Sequence, residues 1–163
     1  MREIYKNLFI GGEKNCLIYA RNPEFSIIHA CKTCHKKALN YAKSLPNTHP
    51  NYLVYERGEH LFLNIVNMKE ELLPQFMNPI VKAALCFIES KIKQKKVLIH
   101  CNQGQSRSPS LSLIYLAHNN VIPNNSYESA IQEFLKLYPQ YTPGTGIMLY
   151  MQRNWSWLMG QEI

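Results

Sequence analysis

A cysteine and an arginine separated by five residues follow an apolar segment in the second half of the chain. Cys101 and Arg107 are joined by a polar run from Asn102 to Ser106, and a helical pattern begins at Arg107. A loop of this kind wraps its N–H groups around an anion at a helix N-terminus, where the helix dipole adds positive potential. The same field favours the thiolate form of Cys101, which is the nucleophilic form of a cysteine. This spacing predicts a nucleophile that attacks a bound phosphoryl group.

The neighbouring residues complete a two-step scheme. Arg107 supplies a planar fork that grips two phosphoryl oxygens, and Gly104 allows a backbone conformation with positive φ. Cys101 attacks phosphorus and forms a cysteinyl-phosphate, which water later releases. Ser108 hydrogen-bonds the thiolate in that second step, and His100 orders the loop from beneath. The predicted phosphate-binding residues are Asn102, Gln103, Gly104, Gln105, Ser106 and Arg107. The scheme requires no cofactor and no metal.

The elements that position this loop alternate between short apolar strands and amphipathic helices. Such alternation predicts an α/β domain of three layers, with a central, largely parallel five-stranded sheet flanked by helices. Strands are predicted over 4–11, 25–30, 52–56, 61–66 and 96–100. Helices are predicted over about 33–44, 75–93, 107–119, 126–137 and 145–159. We expect residues 1–163 to form one domain, because this length is that of a single ordinary core.

The segment HCNQGQSR at 100–107 resembles the His-Cys-x5-Arg signature of cysteine-dependent protein phosphatases. The continuation SRSPS, with IYLA in the next helix, is similar to the dual-specificity type. The likeness extends to IYKNLFIGG, FSIIHAC, LFLNIV and the closing YESAIQEFLKLYPQYTPGTG, and so covers most of the chain. The resemblance implies hydrolysis of phosphotyrosine and of phosphoserine or phosphothreonine in proteins. Relatives with this loop act on phosphoinositides or on the 5′-triphosphate of RNA, and a pseudophosphatase that only binds phosphorylated partners is a further alternative.

The chain contains eleven Glu, fifteen Asn and no Asp. This composition excludes mechanisms that need an aspartate, such as an EF-hand, an Asp nucleophile or a Ser-His-Asp triad. In the resembled family an Asp protonates the leaving oxygen, and the matching position here is Asn67, which cannot act as a general acid. Three alternatives follow: Glu70 or Glu71 takes over, the substrate has a good leaving group, or residue 67 is Asp in the natural protein.

The net charge and the pattern of apolar runs indicate which kinds of partner and which compartment to expect. The formal net charge is +7 and the isoelectric point is about 9.2, which favours phosphorylated or acidic partners. The basic runs lack the interleaved aromatic residues of a nucleic-acid surface, so RNA enters only under the alternative activity. No signal peptide or membrane-spanning run is visible, and we expect a cytoplasmic monomer without membrane association.

The segment CKTCH at 31–35 matches the pattern of covalent haem attachment, and its cysteines and histidine could also bind zinc. A haem site of this type needs an exported protein, and a structural zinc site needs a second ligand pair. The sequence therefore predicts neither. In the resembled fold the strand before Cys31 ends near the phosphate loop, so Cys31 is a candidate redox partner that could form a disulfide with Cys101 after oxidation.

Overall fold

The computed structural model describes residues 1–162, and they form six strands and six helices. The strands are β1 (Arg2–Tyr5), β2 (Leu8–Gly11), β3 (Phe25–His29), β4 (Val54–Arg57), β5 (His60–Leu63) and β6 (Lys96–His100). The helices are α1 (Glu13–Tyr19), α2 (Lys32–Leu39), α3 (Pro74–Lys91), α4 (Arg107–His118), α5 (Tyr127–Leu137) and α6 (Thr145–Met159).

One sheet contains all six strands in the order β1-β2-β6-β3-β5-β4. The four inner strands are parallel, and β1 and β4 pair antiparallel at the two edges. Helix α1 covers one face, where Tyr19 packs on Phe25 of β3, while α3 and α4 pack on the other. The α/β class is confirmed. The sheet is mixed, however, and the predicted count of five strands is wrong.

The sixth strand comes from the N-terminal segment, where one strand was expected over 4–11. The chain reverses there, and β1 and β2 form a hairpin in which Tyr5 lies opposite Leu8. Asn7 makes the turn with a φ of 64°, a left-handed conformation that Asn tolerates better than most residues. The alternating apolar pattern is the same on both sides of the turn, so it concealed the reversal.

Two helices depart from the prediction, one in its end and one in its existence. Helix α2 ends at Leu39 rather than near residue 44, because Asn40 adopts a left-handed conformation with a φ of 54° and stops it. Helix α1 was not predicted. It has seven residues, and its apolar Leu17 and Ile18 face solvent, so it lacks the buried stripe from which a helix is recognised. Helices α3 to α6 lie within two residues of the predicted bounds.

Helix α4 is the centre of the main core. Its residues from Ser108 to Ala117 are all buried, between the sheet and the helices α3, α5 and α6. Pro109 lies in the first turn, where its missing N–H breaks no helical hydrogen bond. This packing fixes the N-terminus of α4, and therefore the loop that joins it to β6. Among residues 1–162, no helix combines the length and apolar character needed to cross a membrane.

Candidate active site

The loop between β6 and α4 comprises residues 101–106 and lies at the carboxyl end of the central strand. Gly104 has a φ of 76°, and a Cβ at this position would lie 2.9 Å from the carbonyl oxygen of Gly11. A side chain would therefore be both strained and crowded, which explains the glycine. The N–H groups of 102–106 donate no hydrogen bond to a carbonyl of residues 1–162. They are free to bind an anion.

Four hydrogen bonds from other segments hold the loop in place. They run from the Tyr138 hydroxyl to the Gly104 carbonyl (2.9 Å), from the Thr142 amide to the Gln105 carbonyl (2.8 Å), from the Gly144 amide to the Ser106 hydroxyl (2.9 Å) and from the Glu13 amide to the Asn102 carbonyl (3.0 Å). Three of the four donors belong to the segment between α5 and α6. The loop is thus positioned by elements that are remote in sequence.

Cys101 lies at the bottom of this loop and is 2% exposed. The Ser108 hydroxyl donates a hydrogen bond to its sulfur at 3.2 Å. Burial raises the pKa of the Cys101 thiol, but the hydroxyl and amide of Ser108 and the amide of Gly104 lower it. The positive charge of Arg107 acts in the same direction, and the pKa lies below its ordinary value. The site therefore favours the nucleophilic thiolate.

Arg107 is held in the same place from two sides. Its Nη2 donates to the Asn102 side-chain oxygen at 2.8 Å and its Nη1 to the Ile65 carbonyl at 3.3 Å. The Nε atom is buried and has no hydrogen-bond partner among residues 1–162. A buried donor without a partner is costly, so its retention suggests that a ligand oxygen is its acceptor.

A cavity of about 450 Å³ opens over the loop, and most of the predicted site residues line it. It is lined by Asn67, Cys101, Asn102, Gln103, Gln105, Ser106, Arg107, Thr142, Pro143 and Gly144. Asn67 thus reaches the cavity from the segment after β5. Gly144 permits this approach, because a Cβ at 144 would overlap the side-chain oxygen of Asn67.

The two glutamates proposed as substitutes for the acid lie elsewhere. Glu70 and Glu71 line a separate cavity, together with Tyr52 and Phe76. The carboxylate of Glu71 pairs with Arg153 on α6. Of the three candidates for the acid position, only Asn67 lines the cavity that contains Cys101.

His100 is buried directly behind the nucleophile. Its Nδ1 lies 3.3 Å from the Cys101 carbonyl oxygen, and its Nε2 lies 2.8 Å from Nδ1 of His29 at the end of β3. His29 continues the chain of contacts, with Nε2 3.0 Å from Nδ1 of His60. Burial lowers the pKa of His100 to about 4 and that of His29 to about 2, so both rings are neutral near pH 7. The sequence predicted a role for His100 but not the row of three histidines. His29 and His100 are the last residues of the adjacent strands β3 and β6.

The two cysteines of CKTCH lie at the start of α2, which follows β3. Cys31 is the residue that precedes the helix, and it is buried. The hydrogen bond with Cys34 lowers the pKa of Cys31 and raises that of Cys34. The charge of Arg107 also lowers the pKa of Cys31. The sulfur of Cys31 lies within 4.8 Å of a ring nitrogen of His100, the residue before Cys101, so this thiol is near the phosphate loop. A disulfide between Cys31 and Cys101 stays a prediction.

Comparison with curated proteins finds similarity in sequence to a protein phosphatase. A segment of 63 residues is 43% identical to the dual specificity protein phosphatase YVH1 of Plasmodium falciparum, isolate 3D7. The matched segment is 38% of this chain and only 10% of that relative's length. No protein-family model matches the chain.

Solved structures match over nearly the whole chain at low identity. The human tyrosine phosphatase-like serine/threonine/tyrosine-interacting protein is 20% identical with a TM-score of 0.65, and the match covers 98% of each chain. The Yvh1 phosphatase domain from Chaetomium thermophilum is 19% identical with a TM-score of 0.63, over 98% of this chain and 96% of the other. At such identity these matches establish the fold.

The sequence match, the fold and the Cys-x5-Arg loop with its serine agree with one another. The chain is therefore similar to a dual-specificity protein phosphatase over a 63-residue segment, and over nearly its whole length it has the fold of solved phosphatases and phosphatase-like proteins.

Proposed function

We propose that this chain is a cysteine-dependent phosphatase that hydrolyses phosphotyrosine and phosphoserine or phosphothreonine in proteins. One observation carries the proposal: the Cys101 thiol, with a lowered pKa, lies in the same cavity as an arginine whose buried Nε has no partner among residues 1–162. A thiolate beside a free guanidinium donor is suited to attack a bound phosphoryl group.

In the first step, the Cys101 sulfur attacks phosphorus and the bond from phosphorus to the leaving oxygen breaks. Arg107 and the loop amides hold the three remaining phosphoryl oxygens, where negative charge is concentrated. The leaving oxygen takes the electron pair and requires a proton. The Asn67 amide lines the cavity but cannot supply that proton, so water must do so or the leaving group must be stable as an anion.

In the second step, water attacks the phosphocysteine and the sulfur leaves as a thiolate. The Ser108 hydroxyl, which donates to this sulfur at 3.2 Å, stabilises the charge that returns to it. Inorganic phosphate and the original thiolate are the products. Neither step calls on a cofactor. The nucleophile must remain a reduced thiol, so the proposal includes a reducing compartment such as the cytoplasm, and one domain acting as a monomer.

Asn67 favours a second candidate activity on the same loop. Without a general acid, substrates whose leaving groups are stable anions are preferred, and a phosphoanhydride is such a substrate. The 5′-triphosphate of RNA contains one, and a net charge of +7 would attract RNA. A phosphoinositide monoester is a further alternative, and its alkoxide leaving group needs a proton as that of phosphoserine does. Binding of phosphorylated partners without turnover is the remaining alternative.

An aryl phosphate assay tests the proposal. We expect steady turnover by the unaltered chain, a complete loss in Cys101→Ser, and wild-type turnover in Cys86→Ser, whose thiol is exposed on α3. Acid quenching with labelled substrate should trap label on Cys101. Absence of turnover in the unaltered chain, with phosphopeptide binding retained, would establish the binder instead.

A further inference from the structure

Three thiols and two imidazoles lie close together near the phosphate loop, and none of these side chains lines the cavity that contains Cys101. They form two overlapping groups, one of Cys31, Cys34 and His100 and one of Cys16, His29 and His100. Within each group the sulfur and nitrogen atoms lie within 4.8 Å of one another. Thiolate and imidazole are the ligands that zinc prefers in proteins.

The topology of the sheet creates this cluster. β3 and β6 are adjacent and parallel, and His29 lies directly opposite His100 in their register. The chain leaves β3 and enters α2, so Cys31 precedes the helix and Cys34 follows one turn later. Both cysteines therefore lie near the end of the neighbouring strand β6, whose last residue is His100. None of this proximity is apparent from positions that are up to 84 residues apart in the chain.

We propose that Cys31, Cys34 and His100 form a binding site for a zinc ion. The Cys-x-x-Cys spacing is that of structural zinc sites, and the second group lacks it. Access also favours this group, because Cys34 is only half-buried, whereas Cys16, His29 and His100 are all buried. Binding releases the two thiol protons to solvent and forms two zinc–sulfur bonds and one zinc–nitrogen bond.

The distances require small adjustments. In a tetrahedral site, the usual bond lengths place a sulfur and a nitrogen ligand about 3.6 Å apart. The Cys34 sulfur lies 4.0 Å from Nε2 of His100, so a slight side-chain rotation brings both atoms to the metal. The zinc–nitrogen bond replaces the contact between His100 and His29, whose other nitrogen keeps its partner His60.

The second nitrogen of His100 is already placed as a zinc ligand requires. Ligating histidines usually donate their other N–H to a carbonyl or carboxylate, which fixes the ring. Here Nδ1 lies 3.3 Å from the Cys101 carbonyl oxygen. With Nδ1 as the donor, the lone pair of Nε2 is available to the metal. His100 thereby connects the zinc site to the backbone of the nucleophile.

This site differs from the one considered in the sequence, which used His35. The His35 ring is buried, and its nitrogens contact the Tyr41 hydroxyl and the Asn51 carbonyl at 2.9 Å each. It is thus a packed structural residue. His100, supplied by the adjacent strand, replaces His35 as the third protein ligand, and water takes the fourth position of the tetrahedral zinc in place of a second ligand pair.

Titration of the reduced, intact chain with Cd²⁺, a spectroscopic substitute for zinc, tests the site. We expect one equivalent to bind with a thiolate-to-metal absorption band, and Zn²⁺ to displace it. Cys31→Ser and Cys34→Ser should each weaken binding by at least tenfold. Cys86→Ser, the matched control at an exposed thiol, and Cys101→Ser should both bind as the unaltered chain does. The readout is independent of phosphatase activity.

Three results would overturn the assignment. Loss of binding in Cys101→Ser would place the metal on the nucleophile. Loss in Cys16→Ser with full binding in Cys34→Ser would place it in the other group. If the serine variants of CKTCH do not fold, X-ray absorption of the zinc-loaded unaltered chain decides, since two sulfur ligands and at least one nitrogen are expected, and any other sulfur count contradicts the site.

Discussion

The phosphate loop, residues 101–107, and the acid segment, residues 64–73, both border the same cavity but are built differently. The phosphate loop joins a buried central strand to a buried helix, and four hydrogen bonds from elsewhere fix it. The acid segment contains neither helix nor strand, and its residues 67–70 are exposed. The first region carries the proposed nucleophile and phosphate-binding groups, whereas the second carries an amide at the position where the proposed chemistry would use an acid. None of the four hydrogen bonds that position the phosphate loop comes from the segment that carries Asn67.

After removal of the nucleophile itself, the largest loss is expected in the phosphate loop, from Arg107→Lys. A lysine keeps the charge but cannot bridge two phosphoryl oxygens or retain both contacts of the guanidinium. We expect aryl phosphate turnover to fall by about 10²–10³, the usual cost of removing a transition-state donor. Arg153→Lys, which changes an exposed arginine on α6, is the matched control and should keep full activity. Equal losses in the two variants would mean that Arg107 does not bind the transferred phosphoryl group.

A smaller loss, confined to the second step, is expected from Ser108→Ala. A hydrogen bond to a charged group is worth about 1.5–3 kcal/mol, so release of the thiolate should slow by about tenfold to a hundredfold. Rapid-quench kinetics should then show a burst and accumulation of phosphocysteine. Ser112→Ala removes a buried hydroxyl one turn along α4, which contacts the Ser108 carbonyl, and should show no burst. A slower first step without accumulation would contradict the role of Ser108.

In the acid segment we expect a substitution to raise turnover rather than to lower it. Asn67→Asp places a carboxylic acid in the cavity, and general acid catalysis typically contributes about 10²–10⁴ in rate. We expect at least about tenfold higher turnover of an alkyl phosphate, and little change for an aryl phosphate with a good leaving group. Asn47→Asp adds the same charge at an exposed position and serves as the control. Unchanged alkyl turnover would show that position 67 is not the acid site.

The sequence could predict those features of the site and the fold that depend on residues close together in the chain. Cys101, Arg107 and Ser108 are close in the chain, so their spacing alone indicated the nucleophile and its partners. Helix α3 was also predicted within two residues of its bounds, because its apolar residues repeat at helical spacing.

Features that depend on distant residues could not be predicted in this way. Tyr138 and Thr142 hold the loop from 34 and 37 residues away, and no local pattern reveals such contacts. The hairpin at Asn7 and the short helix α1 were missed because neither changes the apolar periodicity. His29 joins His100 only through the pairing of β3 with β6. Register and packing, rather than composition, decide these features.

The smallest effect is expected from the glutamates of the acid segment. Glu70 and Glu71 line the neighbouring cavity, and Glu71 is held by Arg153. We therefore expect Glu70→Gln and Glu71→Gln to change alkyl phosphate turnover by less than about twofold, far below the range of general acid catalysis. An exposed ion pair contributes about 0–1 kcal/mol, so Glu71→Gln should also leave the thermal unfolding midpoint nearly unchanged. A tenfold loss in Glu70→Gln alone would mean that the segment moves and that Glu70 donates the proton, in which case Asn67→Asp should add little to the unaltered chain.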